Sequence, residues 1–149
     1  MKRIAAVILI STLSVSALVA PVAQASTPLI CLAYDTGGPG DSSFNDAAQA
    51  GLKVAAKNLE FTLETTVTSG DAKDRIDRLT ALVKKDCTIV IAVGTGYAAT
   101  LKELSQQYPE TQFAILNDAT VDALNVTSIV FADIQGAYLA GYAAALASK

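Results

Sequence analysis

The alternation of short apolar runs with longer helical runs constrains the fold of this chain more than any other feature. The short runs, at residues 29–34, 61–68, 88–93, 112–116 and 125–131, predict buried β-strands. Helices are predicted at residues 44–59, 72–85 and 97–107, where apolar side chains recur every three or four residues, and at the alanine-rich residues 134–148. This alternation predicts an α/β domain with an open, mostly parallel sheet and helices on both faces.

The first 25 residues have the layout of a secretory signal peptide. Lys2 and Arg3 precede an apolar run at residues 4–20, and Ala23-Gln24-Ala25 supplies a small-x-small cleavage pattern. A membrane anchor is the alternative, but the run is short for a span of about 20 strongly apolar residues. We therefore expect cleavage after Ala25, a periplasmic or secreted location, and one mature domain at residues 26–149.

Charge and residue usage narrow the function classes. Residues 1–25 hold two of the 11 basic residues and none of the 14 acidic ones, so cleavage changes the net charge from −3 to −5. A mildly acidic protein is a poor partner for nucleic acid or an anionic membrane surface. The chain has no histidine, two cysteines and no CxxC motif, so we expect no metal, no cofactor and no enzymatic activity.

Polar and aromatic residues follow the predicted strands, where open parallel sheets bind their ligands. These candidate ligand-binding residues are Asp35, Asp41, Phe44 and Asn45 after the first strand, Tyr97 after the third, Asp118 after the fourth and Gln135 after the fifth. The mixture suits a neutral ligand with several hydrogen-bond donors and one flat apolar face. A structural interpretation stays open for each residue: the aspartates as turn or helix caps, and Phe44 as core.

Residues 35–45, Asp-Thr-Gly-Gly-Pro-Gly-Asp-Ser-Ser-Phe-Asn, resemble the first-strand signature of the basic membrane protein family. These are substrate-binding proteins of ABC importers with the type I periplasmic binding fold. Residues 89–97 are similar to the family's glycine turn after the third strand, and residues 131–141 to its F-x-x-x-E-G-x-Y-L-A-G stretch. The resemblance implies a monomeric protein that delivers a small molecule to a plasma-membrane permease.

The resemblance also implies a purine nucleoside as the ligand. Asp35 would hydrogen-bond the base, Phe44 would stack on it, and Asn45 would add a polar contact. Tyr97 and Asp118 match positions at the rim of the family's cleft. The chain departs from the pattern in three ways: Gln135 replaces the usual glutamate, Cys31 lacks a lipobox, and the length allows only an N-terminal lobe, with the second lobe absent.

The two cysteines allow two interpretations. Cys31 lies in the first predicted strand and Cys87 just before the third, and these strands are neighbours in the expected order 2-1-3-4-5. A disulfide is compatible with export. Two buried free thiols are the alternative.

A dinucleotide-binding enzyme is the main alternative function. Residues 94–99 fit G-x-G-x-x-A, and Asp118 closes the next strand at about the spacing of a ribose-binding acid. The predicted export signal, the position after the third strand and the lack of a catalytic base weigh against it. Two further alternatives keep the binding fold, with a sugar or another small ligand, or with a sensing role in place of transport.

Overall fold

The computed structural model describes residues 26–148, so the predicted signal peptide lies outside the described residues. Five strands form one sheet in the order β2-β1-β3-β4-β5, and every neighbouring pair is parallel. The strands are β1 (Leu29–Tyr34), β2 (Thr62–Val67), β3 (Ile89–Val93), β4 (Phe113–Leu116) and β5 (Val126–Ile129). The predicted α/β fold and strand order are confirmed.

Four α-helices follow the strands, most of them shorter than the sequence predicts. They are α1 (Phe44–Ala55), α2 (Ala72–Val83), α3 (Ala98–Gln107) and α4 (Asp133–Ala147). A short 3-10 turn, Thr95–Tyr97, precedes α3. The predicted first helix extends to residue 59, but α1 ends at Ala55, and Leu59 is 64% exposed, so no packing holds a further turn in helical form.

The main core lies between one sheet face and the helices α2 and α3. Leu79 and Leu101 of these helices pack on strand residues that include Val90 and Phe113, all at most 1% exposed. Cys31 and Cys87 belong to this core and are joined as a disulfide, with their Cα atoms 5.9 Å apart. The bridge ties β1 to the chain just before β3, at the centre of the sheet.

The opposite sheet face is covered only in part. Helix α1 packs there through Ala48 and Leu52. Beside α1 lies an apolar groove of about 460 Å³, whose lining includes Leu32, Phe44, Ile91, Leu116, Ile129 and Phe131. Every residue of α4 is exposed, and the helix carries no charge after Asp133. Within residues 26–148, no helix combines the length and apolar character that a membrane span requires.

Candidate functional site

A polar corner forms where β1, β2 and β3 end. Asp35 follows β1, and its Oδ1 accepts hydrogen bonds from Arg75 Nη2 at 2.7 Å and from the Thr36 backbone N–H at 2.9 Å. Oδ2 of Asp35 has no hydrogen-bond partner among residues 26–148, and the side chain is 30% exposed. One carboxylate oxygen is thus held in place, and the other is free to accept a bond.

Two glycines after β3 make room for this corner. A Cβ on Gly94 would lie 2.8 Å from Asp35 Oδ2, and one on Gly96 would lie 2.6 Å from Arg75 Nη2. Both distances are too short for real contacts, and Gly94 also has φ +96°, which side chains rarely adopt. The Gly-Thr-Gly sequence therefore leaves space for the Asp35 carboxylate and the Arg75 guanidinium, which come from neighbouring elements.

Asn45 fixes the loop between β1 and α1. Its Oδ1 accepts the Asp35 N–H at 2.9 Å, and its Nδ2 donates to the carbonyls of Asp35 and Thr36 at 3.4 Å. The residue is only 2% exposed. Asn45 was expected to contact the ligand, but its amide serves the loop backbone. Its effect is to hold Asp35 beside the start of α1.

Asp41 and Asp46 satisfy the backbone N–H groups of the same loop. Asp41 accepts from Ser43, Asn45 and Asp46, and Asp46 accepts from Gly40 and Ser42. Partial burial opposes ionisation, but the N–H donors outweigh it and hold the pKa of Asp41 below its usual value. Asp41 therefore acts as a cap in this structure, the structural interpretation that the sequence left open.

Tyr97 does not lie at the rim, which corrects the sequence expectation. Its side chain is fully buried, and its hydroxyl donates to the Tyr34 carbonyl at 2.8 Å. Burial, with the nearby Asp35 charge, raises the pKa of Tyr97 to about 12. The Arg75 guanidinium lies 5.4 Å from the ring centroid, within cation–π range. Tyr97 is therefore a buried residue that packs against Arg75 in this corner.

Phe44 stands at the start of α1 and remains 41% exposed. Its ring lies 6.1 Å from that of Phe131, at an interplanar angle of 42°. The adjacent Asn45 accepts the Asp35 backbone N–H, so Phe44 and Asp35 belong to the same connection after β1. The Phe44 ring lines the groove beside α1, whereas the Asp35 carboxylate is paired with Arg75 of α2. Both residues that the sequence favoured most therefore lie just after β1, and their joint contact with a ligand stays a prediction.

The remaining candidates are less closely tied to the corner. Asp118 follows β4, and its Oδ1 accepts from the N–H and the hydroxyl of Thr120, both at 2.7 Å. Gln135 is exposed on α4, away from packed elements. No cluster of acidic or cysteine ligands suited to a metal ion occurs among the residues that the structure describes.

Arg75 is the residue that sequence reasoning missed. It lies in the first turn of α2, directly after Lys73 and Asp74, in a pattern typical of a solvated helix face. Its side chain is only 14% exposed, and it also donates from Nη1 to the Gly70 carbonyl. The two glycines after β3 were the available signal, because small residues at a strand end leave space for a long side chain.

Comparison with known proteins assigns the family. Residues 31–149 match the family described as "ABC transporter substrate-binding protein PnrA-like". The chain belongs to this family. It is 34% identical over 124 residues to the CD4+ T-cell-stimulating antigen of Listeria monocytogenes, covering 80% of this chain and 35% of the relative. It is 31% identical over 118 residues to the nucleoside-binding protein BmpA of Lactococcus lactis, covering 77% and 34%.

A similar solved structure agrees with the fold. An ABC transporter solute-binding protein from Aeropyrum pernix superposes with a TM-score of 0.71 at 28% identity, covering 76% of this chain and 31% of that one. The chain thus spans about one third of the length of the curated relatives it matches. Relatives from Pyrococcus are named lipoproteins, whereas Cys31 here lies in β1 and is disulfide-bonded.

Proposed function

We propose that this chain is the ligand-binding lobe of an extracytoplasmic substrate-binding protein, and that its ligand is a purine nucleoside. The observations that carry the proposal are an exposed Phe44 ring at the start of α1 and, after β1, an Asp35 carboxylate that has one free oxygen. Asn45, next to Phe44, fixes the Asp35 backbone at the start of α1. A flat base with N–H donors at its rim is complementary to this pair.

The chemistry of Phe44 and Asp35 determines which ligands these two residues favour. A base lying on Phe44 gains roughly 1–3 kcal/mol from stacking. Asp35 Oδ2 accepts hydrogen bonds only, so it selects a ligand edge that donates. Asp118, at the end of β4 on the same sheet edge, is a further acceptor for a hydroxyl group. The proposed site includes Asp118. A contact between Gln135 and the ligand stays a prediction.

Transport is the proposed purpose of this binding. The family consists of ABC substrate-binding proteins, and one relative is named for nucleoside binding. A membrane permease is accordingly the proposed partner, and the protein binds without catalysing a reaction. The chain covers about a third of its relatives' length, so the titrations below test this lobe by itself.

The dinucleotide alternative is less consistent with the corner. In a dinucleotide fingerprint the second glycine lets the pyrophosphate approach the backbone. Here that glycine is Gly96, and the space beside it holds the Arg75 guanidinium. Arg75 is already paired with Asp35, so its charge is not free for a phosphate.

Ligand titration followed by NMR tests the proposal, because this method measures weak binding. Adenosine, guanosine and inosine are titrated, with AMP and NAD as phosphate-bearing comparisons. We expect saturable shifts with a nucleoside, and a roughly 5- to 100-fold weaker affinity for Phe44→Ala, from the stacking energy. Phe61→Ala is the matched control, because Phe61 precedes β2 at the opposite sheet edge.

Two results would contradict the proposal. The first is tighter binding of NAD than of any nucleoside, which would favour the dinucleotide alternative. The second is an unchanged nucleoside affinity in both Phe44→Ala and Asp35→Ala, with each variant folded by circular dichroism. Equal losses in Phe44→Ala and Phe61→Ala would point to general destabilisation and would also count against the assigned site.

A further inference from the structure

Arg75 joins three strand ends through one side chain. It donates from Nη2 to Asp35 after β1 and from Nη1 to the Gly70 carbonyl after β2, and it covers the Tyr97 ring after β3. The side chain is 86% removed from solvent by this packing, since only 14% is exposed. Its Nε is buried without a partner among the described residues. Leaving a guanidinium N–H unpaired is costly, so the arrangement is held by its other contacts.

We propose that Arg75 is a positioning residue that makes Asp35 selective for a neutral ligand with one N–H donor group. The inference rests on the proposed nucleoside function and adds to it the charge and hydrogen-bond pattern of the ligand. Arg75 occupies Oδ1 and leaves Oδ2 as the single open acceptor. It also balances the charge of Asp35 at a distance of 2.7 Å.

Charge balance decides which ligands are excluded. An unpaired carboxylate attracts a cation, and the attraction is strong where water is partly excluded. A carboxylate paired at 2.7 Å with a guanidinium presents almost no net charge, so a cationic base gains little from it. A neutral base still gains its hydrogen bond to Oδ2. The pair therefore favours neutral nucleosides over cationic ones.

Other basic side chains near the corner do not perform this role. Arg78, one turn further along α2, is paired with Asp74 through Nε and donates to Thr66. Lys73 is paired with Asp77 on the exposed side of the helix. Neither makes a hydrogen bond to Asp35. Arg78 is consequently a matched control: the same residue type, on the same helix, also paired with an aspartate.

Binding of two ligands to three variants tests the inference. The ligands are adenosine and 1-methyladenosine, whose base carries a positive charge at neutral pH. In Arg75→Met we expect adenosine affinity to fall about tenfold, and the affinity ratio of 1-methyladenosine to adenosine to rise about tenfold. Arg75→Lys should restore most of the ratio, because it keeps the charge, but not the full affinity, because it lacks the planar fork. Arg78→Met should change neither quantity.

A measurement without ligand separates this inference from the nucleoside proposal. The carboxyl ¹³C resonance of Asp35 should move in Arg75→Met and stay in place in Arg78→Met. If it does not move in Arg75→Met, the positioning role is wrong whatever binds. If it moves as expected while no nucleoside binds the wild type, the positioning role is supported and the nucleoside proposal fails. Equal effects of Arg75→Met and Arg78→Met on the affinity ratio would overturn the inference. If Arg75→Met does not fold, Arg75→Lys replaces it in both measurements.

Discussion

The disulfide between Cys31 and Cys87 should be a large part of this domain's stability. It closes a loop of 56 residues in sequence separation. In the loop-entropy description, a cross-link of that span stabilises by about 4 kcal/mol, chiefly by restricting the unfolded chain. A domain of this size has a total stability of about 5–15 kcal/mol. The double variant Cys31→Ala/Cys87→Ala should therefore remain folded but lose roughly 15 °C in melting temperature.

Urea unfolding of the oxidised wild type, the reduced wild type and the double variant measures this contribution. The two forms without the bridge should agree within about 1 kcal/mol, because loss of the cross-link dominates the small loss of buried sulfur. Their m-values should exceed that of the oxidised protein, since the unfolded chain is less compact. The reasoning fails if the double variant is within about 1 kcal/mol of the oxidised wild type, or if the non-reduced protein has two alkylatable thiols.

Two further substitutions, each with a control variant, test the contacts of α2 and the turn after β3. The Arg78 side chain, followed by the Ser69 N–H and the Thr68 hydroxyl, holds the pKa of Asp74 well below its usual value. The stability that this lowered pKa contributes is present above about pH 4 and is lost as the pH falls through the lowered pKa. Asp74→Asn should therefore lower the melting temperature at pH 7. It should also reduce the dependence of the melting temperature on pH in the acid range. Asp77→Asn, in an exposed pair, should do neither. Gly94→Ala should destabilise by about 1–2 kcal/mol, because its φ is +96° and its Cβ would crowd Asp35. Gly51→Ala in α1 has open space and should stabilise by about 0.5–1 kcal/mol, and a denaturation midpoint that falls for both variants would contradict the steric argument.

The fold could be predicted because strand and helix periodicities differ, and because this chain keeps them separate. β3 is apolar throughout, as a strand at the centre of a parallel sheet requires, and it was predicted to within one residue. The end of α1 could not be predicted, because the apolar spacing continues to Leu59 although nothing packs there. Periodicity shows which residues are able to share a face, and it does not show whether a partner covers that face.

From the sequence, the position of a candidate site residue was predictable only where a strand end places it directly. Asp35 and Phe44 follow from their positions after β1 and at the start of α1. Tyr97 and Asn45 are buried and bond to backbone groups, because a polar side chain after a strand can turn inward. Arg75 was missed, since its partner is 40 residues away in sequence and only the two glycines after β3 pointed to it. The predicted monomer, signal peptide and Gln135 contact stay predictions.

The loop between β1 and α1 also limits which ligands the edge accepts. Glycine-rich loops at helix starts commonly grip phosphate with free backbone N–H groups. In this loop, five such groups, those of Gly40, Ser42, Ser43, Asn45 and Asp46, already donate to carboxylates. An incoming phosphate would meet two resident anions where it needs donors. The Asp41 and Asp46 carboxylates thus take the place of a phosphate in this loop, and we expect no phosphate group to bind at this position.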